Sequence, residues 1–342
     1  MLAALSQSQA ILDRALQKSL TVSTRLYVKM AGWNVELISP SQSYAAMCER
    51  ALLGVSKTKP RKIDFTIIAA DAALTKFAMP VPITIGDLPM RERECLRIEH
   101  GVQYATIASP HIIQLFDERR KLGVQLTCDE GQLPPWEPGS VLKSFTYWIA
   151  LQNKMFMQHA GTLSNGSKGL LLVGRGGSGK SGTVLAGLCD GLKSCGDDHV
   201  LVEFAETLKA RSIYAIMKQD QAGFERCNLF SAEISNLKRN WQNKIEIRPE
   251  IIGLPAIEPQ CSINAIVFPR VEANVKSSFK EVTIRDVSDG LVPSNRAEGP
   301  GNLSQSIAYT LRLFRSAPIY RLSLGSDAKH VAQTLRSLLE MC

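Results

Sequence analysis

Apolar residues along this chain recur with two periods, and the elements they predict are short. Over residues 3–20, Leu5, Ile11, Leu12, Leu16 and Leu20 fall mostly at three- to four-residue steps, the spacing of one face of an amphipathic helix. Runs of β character follow at 26–39 (LYVKMAGWNVELIS), 62–70 (KIDFTIIAA) and 102–108 (VQYATIA), alternating with helix-like stretches such as 43–55 (SYAAMCERALLGV). KTKPR, ahead of the second run, reads as a loop from its proline and charges. Residues 1–130 are therefore expected to form a mixed α/β lobe without recognisable chemistry. GQLPPWEPGS (131–140) punctuates the chain, because paired prolines restrict their neighbours and stop helices. It sets the expected boundary, with a first domain over 1–130 and a second over 131–342. VLKSFTYWIALQNKMFMQ (141–158) then has helical periodicity and is expected to be a buried helix for most of its length. No internal repeat or low-complexity tract appears in the sequence.

The informative segment is KGLLLVGRGGSGKSGTVLAGLCDGL (168–192). Its residues Gly174, Arg175, Gly176, Gly177, Ser178, Gly179, Lys180 and Ser181 fit G-x-x-x-x-G-K-[ST] at every fixed position, and Gly182 follows. An apolar strand, Leu170–Val173, precedes the loop, and a helix-capable run, Thr183–Leu192, follows it. Glycines let the backbone curl so that successive N–H groups face phosphate oxygens, and the helix N-terminus adds partial positive charge. Lys180 can reach the β- and γ-phosphates, and the Ser181 hydroxyl is a natural Mg²⁺ ligand. The plain alternative is a structural glycine-rich turn; strand, loop, Lys-Ser and helix in register argue instead for a nucleotide phosphate. Arg175 could touch phosphate, although the variable positions of this motif usually face solvent.

Two departures from an ordinary phosphate-loop protein follow. Asp197 and Asp198 come only sixteen residues after Ser181 and precede the apolar strand Val200–Val202 instead of closing one. That length suffices for a three-turn helix and a tight return beside the phosphate-loop strand. Two adjacent carboxylates near phosphate need a cation, which Mg²⁺ and Lys180 would supply; a solvated Asp-Asp turn is the alternative. Upstream, MQHAGTLS (157–164) is β-like and NGSKG (165–169) is a hairpin turn in which Asn165-Gly166 offers positive φ. The strand entering the loop should thus be antiparallel to its predecessor, since a parallel neighbour needs a longer crossover. A mixed sheet is expected. His159, on that preceding strand, could project toward the phosphates or be an ordinary core histidine.

Composition narrows the class. With 342 residues the chain has room for two domains or one large one, and 45% hydrophobic residues exclude disorder as the dominant state. The balance of 40 basic and 32 acidic residues, a net +8, favours anionic ligands. No zinc-finger spacing or nucleic-acid module accompanies it, so no nucleic-acid partner is expected. The eight cysteines are scattered singly along the sequence and read as reduced, mostly buried thiols, and the five histidines show no metal-ligand spacing. No stretch approaches the roughly 20 apolar residues of a membrane span, and the N-terminus does not read as a secretory signal. A cytoplasmic protein without a membrane partner is expected.

His159-Ala160-Gly161, the loop GRGGSGKS and Gly196-Asp197-Asp198 before an apolar strand together resemble the HPr kinase/phosphorylase family. They also resemble the wider group of bacterial HPr-kinase-like serine kinases and, more distantly, the nucleotide core of phosphoenolpyruvate carboxykinase. The likeness is strong over 157–204 and weaker through 212–219, 261–271 and 317–339. The first 130 residues look instead like the N-terminal lobe of stand-alone HPr-kinase-like proteins, some of which sit beside lasso-peptide enzymes. The resemblance implies an α/β fold, an N-terminal α/β lobe plus a phosphate-loop core with a mixed sheet. It implies that residues 174–181 hold ATP or another nucleoside triphosphate, that Ser181 ligates Mg²⁺, and that His159 orients phosphate or base. One of Asp197 and Asp198 would assist the metal and the other accept the substrate hydroxyl proton, with Asp197 leaning to metal and Asp198 to base. The activity implied is kinase action on a Ser or Thr of a peptide or small protein.

Gly182 departs from the family, which has an acidic residue there, and the Gly-rich signature linked to phosphorolysis is absent from the sequence. The missing signature weakens the case for a phosphorylase and for HPr as substrate, and the missing acid after Ser181 favours a chain that holds nucleotide without transfer. HPr kinases form hexamers; the different N-terminal lobe leaves a homo-oligomer open here. The alternative function is a nucleotide-binding regulatory or scaffold protein without transfer; a carboxykinase-like enzyme would need more metal-binding His and Lys residues than 196–270 holds. Arg270, Arg321, Lys238, Arg239, Lys244 and Arg248 could meet phosphate or acidic substrate, or simply be surface charge. Trp136 and Trp148 read as core, and 285–305 as a long loop.

Overall fold

The run 26–39 is two strands, because Ala31 and Gly32 take positive φ (51° and 88°) and fold it into a hairpin. The computed structural model describes residues 13, 15, 24–71, 104–109, 112–127, 133–290 and 303–342. The helix expected over 3–20 lies almost wholly outside them, and the loop expected over 285–305 partly so. The hairpin strands are β1 (Thr24–Met30) and β2 (Trp33–Ser39). Helix α1 (Gln42–Ala51) follows, its first turn capped by the Ser41 hydroxyl, which accepts the Tyr44 N–H at 3.1 Å. It provides the crossover that lets β3 (Phe65–Asp71) lie parallel to β2. With β4 (Tyr104–Ser109), β5 (Ile112–Asp117) and β6 (Leu122–Thr127), these strands form a six-stranded mixed sheet in the order β1-β2-β3-β6-β5-β4.

The chain divides into compact units at Met1–Asn153 and Lys154–Cys342, beyond the proline-rich stretch expected to mark the boundary. Helix α2 (Lys143–Gln152) explains the difference, since it buries Phe145, Trp148 and Ile149 within the first unit. The Trp148 ring lies 5.9 Å from that of Phe116, which makes Trp148 core as expected. The Phe145 ring packs against β6 at Gly123, where a Cβ would stand 2.7 Å from it. Glu137, in the proline-rich segment itself, accepts the Tyr44 hydroxyl at 2.7 Å and the Leu142 N–H at 3.2 Å. The Tyr44 oxygen accepts from Gln125 at 2.8 Å, and Gln125 accepts from Gln114 at 2.8 Å. This buried chain ties 133–142 to the first sheet. The helix also ends sooner than its periodicity suggests, because Lys154 turns the backbone at φ 54°.

The second unit contains, in chain order, β7 (Met155–Ser164), β8 (Gly169–Val173), α3 (Lys180–Cys189), β9 (His199–Phe204), β10 (Leu208–Ser212) and β11 (Met217–Gln219). After these come α4 (Gln221–Arg226), α5 (Ala232–Ser235), β12 (Ile245–Ile247), β13 (Gln260–Ser262), β14 (Ala265–Val271), β15 (Ser278–Glu281), α6 (Leu303–Arg315), β16 (Ile319–Leu324) and α7 (Ala328–Met341). Eight strands form one sheet in the order β13-β10-β9-β7-β8-β14-β16-β15, and β11 pairs with β12 separately. β8, β14 and β16 are parallel, whereas β7 runs antiparallel to both β8 and β9. The sheet is mixed, as the short NGSKG turn requires. β8 is wholly buried, the signature of a central strand covered on both faces. Leu163, Leu170 and Leu172 pack with Val184, Leu335 and Leu339 on one side, and Leu171, Val173 and Ile266 with Leu313 and Phe314 on the other.

Helix α3 lies unusually close to β7. A Cβ at Gly161 would stand 2.7 Å from Val184 Cγ2, and one at Gly187 would stand 2.6 Å from Leu163 Cδ2. Of the described cysteines all are free, Cys48 and Cys195 are buried and Cys189 is exposed, so fewer thiols are buried than the sequence suggested. Cys195 and Cys261 are also not solitary in space, with sulfurs 3.3 Å apart. Among the described residues, no helix is long and apolar enough to cross a membrane. Gly161→Ala should lower stability by roughly 1–3 kcal/mol, the usual cost of forcing a methyl into a filled interior, read as a lower urea midpoint with unchanged slope.

Candidate functional site

β8 runs into the glycine loop at Gly174, and the loop ends where Gly179 starts α3 in the left-handed conformation (φ 99°). A side chain at Gly179 would be strained by that φ and would bring a Cβ to 2.5 Å from Leu324 Cδ1. Gly174 is equally constrained, with φ 154° and a Cβ position 2.9 Å from Ser178 Oγ. Arg175, Gly176 and Gly177 are exposed at the loop's tip. Ser178 is half-buried, its hydroxyl oxygen covered and without a hydrogen-bond partner. Lys180 is 6% exposed, and its ammonium donates to the Gly174 carbonyl at 2.6 Å and the Arg175 carbonyl at 3.1 Å. The cation therefore lies inside the curl of the loop. Ser181 and Gly182 are half-buried in the first turn of α3, and a Cβ at Gly182 would meet the Arg226 guanidinium at 3.4 Å.

After α3 the chain returns along β7. The Thr162 N–H donates to the Gly196 carbonyl at 2.8 Å and the Ala160 N–H to the Asp198 carbonyl at 3.1 Å, and β9 begins at His199. Asp197 and Asp198 thus stand beside β7, one strand farther from β8 than the sequence suggested, because β7 and β14 occupy both edges of β8. The two carboxylates have opposite surroundings. Asp197 is 2% exposed; its Oδ2 accepts the Lys218 N–H at 2.9 Å, while Oδ1 is buried without a hydrogen-bond partner. Burial pushes its carboxyl above the usual aspartate range, Asp198 adds to this, and the Lys218 N–H, Lys244 and the nearby Ser181 hydroxyl offset only part.

Asp198 is a quarter exposed. Its Oδ2 lies 2.7 Å from Lys218 Nζ and 3.1 Å from His199 Nδ1, and its Oδ1 lies 3.2 Å from His159 Nε2. Burial opposes its ionisation, but the electrostatic pull of His199 and Lys218 and the hydrogen bonds from His159 and His199 outweigh that. They hold the carboxyl well below the usual range. His159 and His199 face each other across the β7–β9 ladder with rings stacked at 5.3 Å and 19°. His159 is therefore neither isolated nor a plain core residue.

The structure brings together Lys180 with its loop, Ser181 with Asp197, and His159 with Asp198. Reading the sequence missed two neighbours. His199 was legible from register alone, since it follows Asp198 and pairs with His159. Lys218 carried no spacing signal; it reaches the site because β11 places its backbone on Asp197 and its side chain on Asp198. Arg270 and Arg321 are engaged elsewhere, with Glu272 and the Asp286 carbonyl respectively. No known family model matches the chain, and no curated protein does. Among solved structures, the HPr(Ser) kinase/phosphatase from Coxiella burnetii is similar over 54% of this chain and 97% of that one, with 14% identity and a TM-score of 0.31.

Because its folded-state pKa is depressed, Asp198 stabilises the fold above about pH 4, the unfolded aspartate value, and loses that contribution as pH falls through the folded value. Lys218→Met should move the Asp198 midpoint upward in a carboxyl-carbon NMR titration and narrow this acid-side loss of stability. An unmoved midpoint would show that the histidines alone hold the charge.

Proposed function

We propose that this chain is an ATP- and Mg²⁺-dependent phosphotransferase that phosphorylates a hydroxyl, a Ser or Thr of a peptide or small protein. The observation that carries the reading is the buried, unsatisfied Asp197 Oδ1 beside Ser181 at the N-terminus of the helix that follows the lysine-bearing loop. A buried carboxylate oxygen without a partner is costly, and a divalent cation is the partner that a carboxylate, a hydroxyl and phosphate oxygens share. Among the described residues no group of three or more His, Cys, Asp or Glu side chains could hold a metal. That fits Mg²⁺, which is commonly held by one or two carboxylates plus substrate phosphates.

In this reading the N–H groups of residues 174–181 and Lys180 would receive the triphosphate. Ser181 and Asp197 would hold Mg²⁺, which neutralises charge on the β- and γ-phosphates when bound. Asp198, ionised at neutral pH and partly open to solvent, would accept a hydrogen bond from the acceptor hydroxyl and take its proton as the new O–P bond to the γ-phosphorus forms and the γ-phosphorus bond to the bridging β-phosphate oxygen breaks, with ADP as the leaving group. A depressed pKa makes it a weak base. The loose transition state of phosphoryl transfer tolerates this, because the hydroxyl needs orientation more than early deprotonation. His159 and Lys218 would aim the carboxylate and balance its charge.

The threefold engagement of Asp198 also favours a second reading, a nucleotide-binding regulatory protein without transfer. Incubation with γ-labelled ATP, Mg²⁺ and a panel of Ser- and Thr-containing peptides separates the two. Label should appear on a hydroxyl side chain, and Asp198→Asn should cut the rate by about a hundredfold or more, the usual size of a proton-transfer contribution. Undiminished transfer in Asp198→Asn would remove that residue as base. Tight ATP binding with no label on any peptide would favour the regulatory reading.

A further inference from the structure

The segment between α4 and β12 carries a basic turn next to the β11–β12 ladder, and the sequence left its cations open between acidic-substrate contacts and plain surface charge. From Asn236 to Lys244 it carries Lys238, Arg239 and Lys244 and no carboxylate. Its shape is fixed. The Asn240 N–H donates to the Lys244 carbonyl at 2.7 Å, and Asn240 Oδ1 accepts the N–H groups of Gln242 and Lys244 at 2.9 and 3.0 Å. Asn243 takes the positive φ (59°) that closes the turn. Arg239 and Ile245 bridge its base, and Arg239 donates to the Gln221 side chain at 2.9 Å.

The turn presents Trp241 at its tip, 57% exposed, with Leu237 39% exposed nearby in sequence. An indole is costly to leave in water and suits a surface that binds an extended chain. The base of the turn leads into β12, which pairs Glu246 with Lys218 and Ile245 with Gln219. Lys244 stands directly before that strand, two residues from Glu246, the cross-strand partner of Lys218. Arg226, whose guanidinium would meet a Cβ at Gly182 at 3.4 Å, adds a further cation beside the first turn of α3. Among the described residues, no carboxylate lies within ion-pair distance of Arg226, Lys238 or Lys244. A cationic turn with an exposed aromatic, adjoining the carboxylates of the transfer site, is complementary to an acidic, partly apolar polypeptide.

We infer that residues 226–248 are the docking surface for the phosphoryl acceptor, a peptide segment with acidic residues flanking the modified Ser or Thr and an apolar residue that lies on Trp241. This rests on the phosphotransferase reading of the neighbouring site. Nucleic acid, the other polyanion such a surface could attract, is less suited, because the cations form a short patch beside a transfer site and not a track.

The test uses the full chain and fluorescein-labelled peptides of equal length, each with a central Ser. One is flanked by Glu and Leu, one by Gln and Leu, one by Lys and Leu, and a labelled single-stranded oligonucleotide is run alongside. Fluorescence anisotropy should show the acidic peptide binding about tenfold or more tighter than the neutral one, an advantage that salt reduces. Lys238→Glu should abolish that preference, Lys238→Arg should retain it, and Trp241→Ala should weaken the acidic peptide severalfold, with circular dichroism reporting an intact fold in each variant. Equal affinity for acidic and neutral peptides, no effect of Lys238→Glu, or tighter binding of the oligonucleotide would each overturn the inference. Parallel transfer assays keep the two readings apart. Acidic-peptide binding without label transfer leaves the surface standing and removes the kinase. Equal label transfer to acidic and neutral peptides leaves the kinase and removes the surface.

Discussion

The absence of a side chain at Gly161 is the constraint on which the site depends. It lets Val184 of α3 rest directly on the β7 backbone, and this close approach brings the helix N-terminus toward the strand that carries His159. The returning chain then hydrogen-bonds to β7 through Gly196 and Asp198. Loop, helix and acidic pair are thereby registered against one strand. A helix seated farther out would separate Ser181 from Asp197 while every local element remained intact.

Placing two neighbouring carboxylates beside each other in a buried region is unfavourable, and the fold resolves the conflict by giving them opposite environments. In the bend that leads into β9, Asp197 turns into the interior toward the Lys218 backbone and Ser181. Asp198 turns toward two imidazoles and the Lys218 ammonium. One carboxylate is pushed toward protonation and keeps an open acceptor, and the other is held firmly ionised. Lys218 serves both, through its N–H and its ammonium, which makes the short β11–β12 ladder an electrostatic part of the site. A pair of titratable groups driven apart in this way is the ordinary physical basis for a division of roles.

The first unit shows how burial can override punctuation. Three prolines and a tryptophan in 131–140 look like a linker, yet buried Glu137 is held by a chain of hydrogen bonds running through Tyr44, Gln125 and Gln114. The adjoining helix carries Phe145 and Trp148 into the same core. Proline restricts backbone angles only within a residue or two, so it signals a bend. Whether the bend separates domains depends on what the following side chains cover, and local pattern does not contain that.

The sequence alone determined the phosphate-loop motif, the antiparallel hairpin before it and the short interval to the acidic pair. Each follows from local chemistry: where positive φ is tolerated, how many residues a turn needs, and how far sixteen residues can travel. It also marked His159, although not its stacked partner. Tertiary structure decided the rest. It placed β7 between the loop strand and the acids, oriented Asp197 and Asp198 apart, joined Lys218 to both and moved the unit boundary to Asn153. These outcomes depend on contacts between residues distant in sequence, where packing and burial choose among arrangements that the local pattern allows equally.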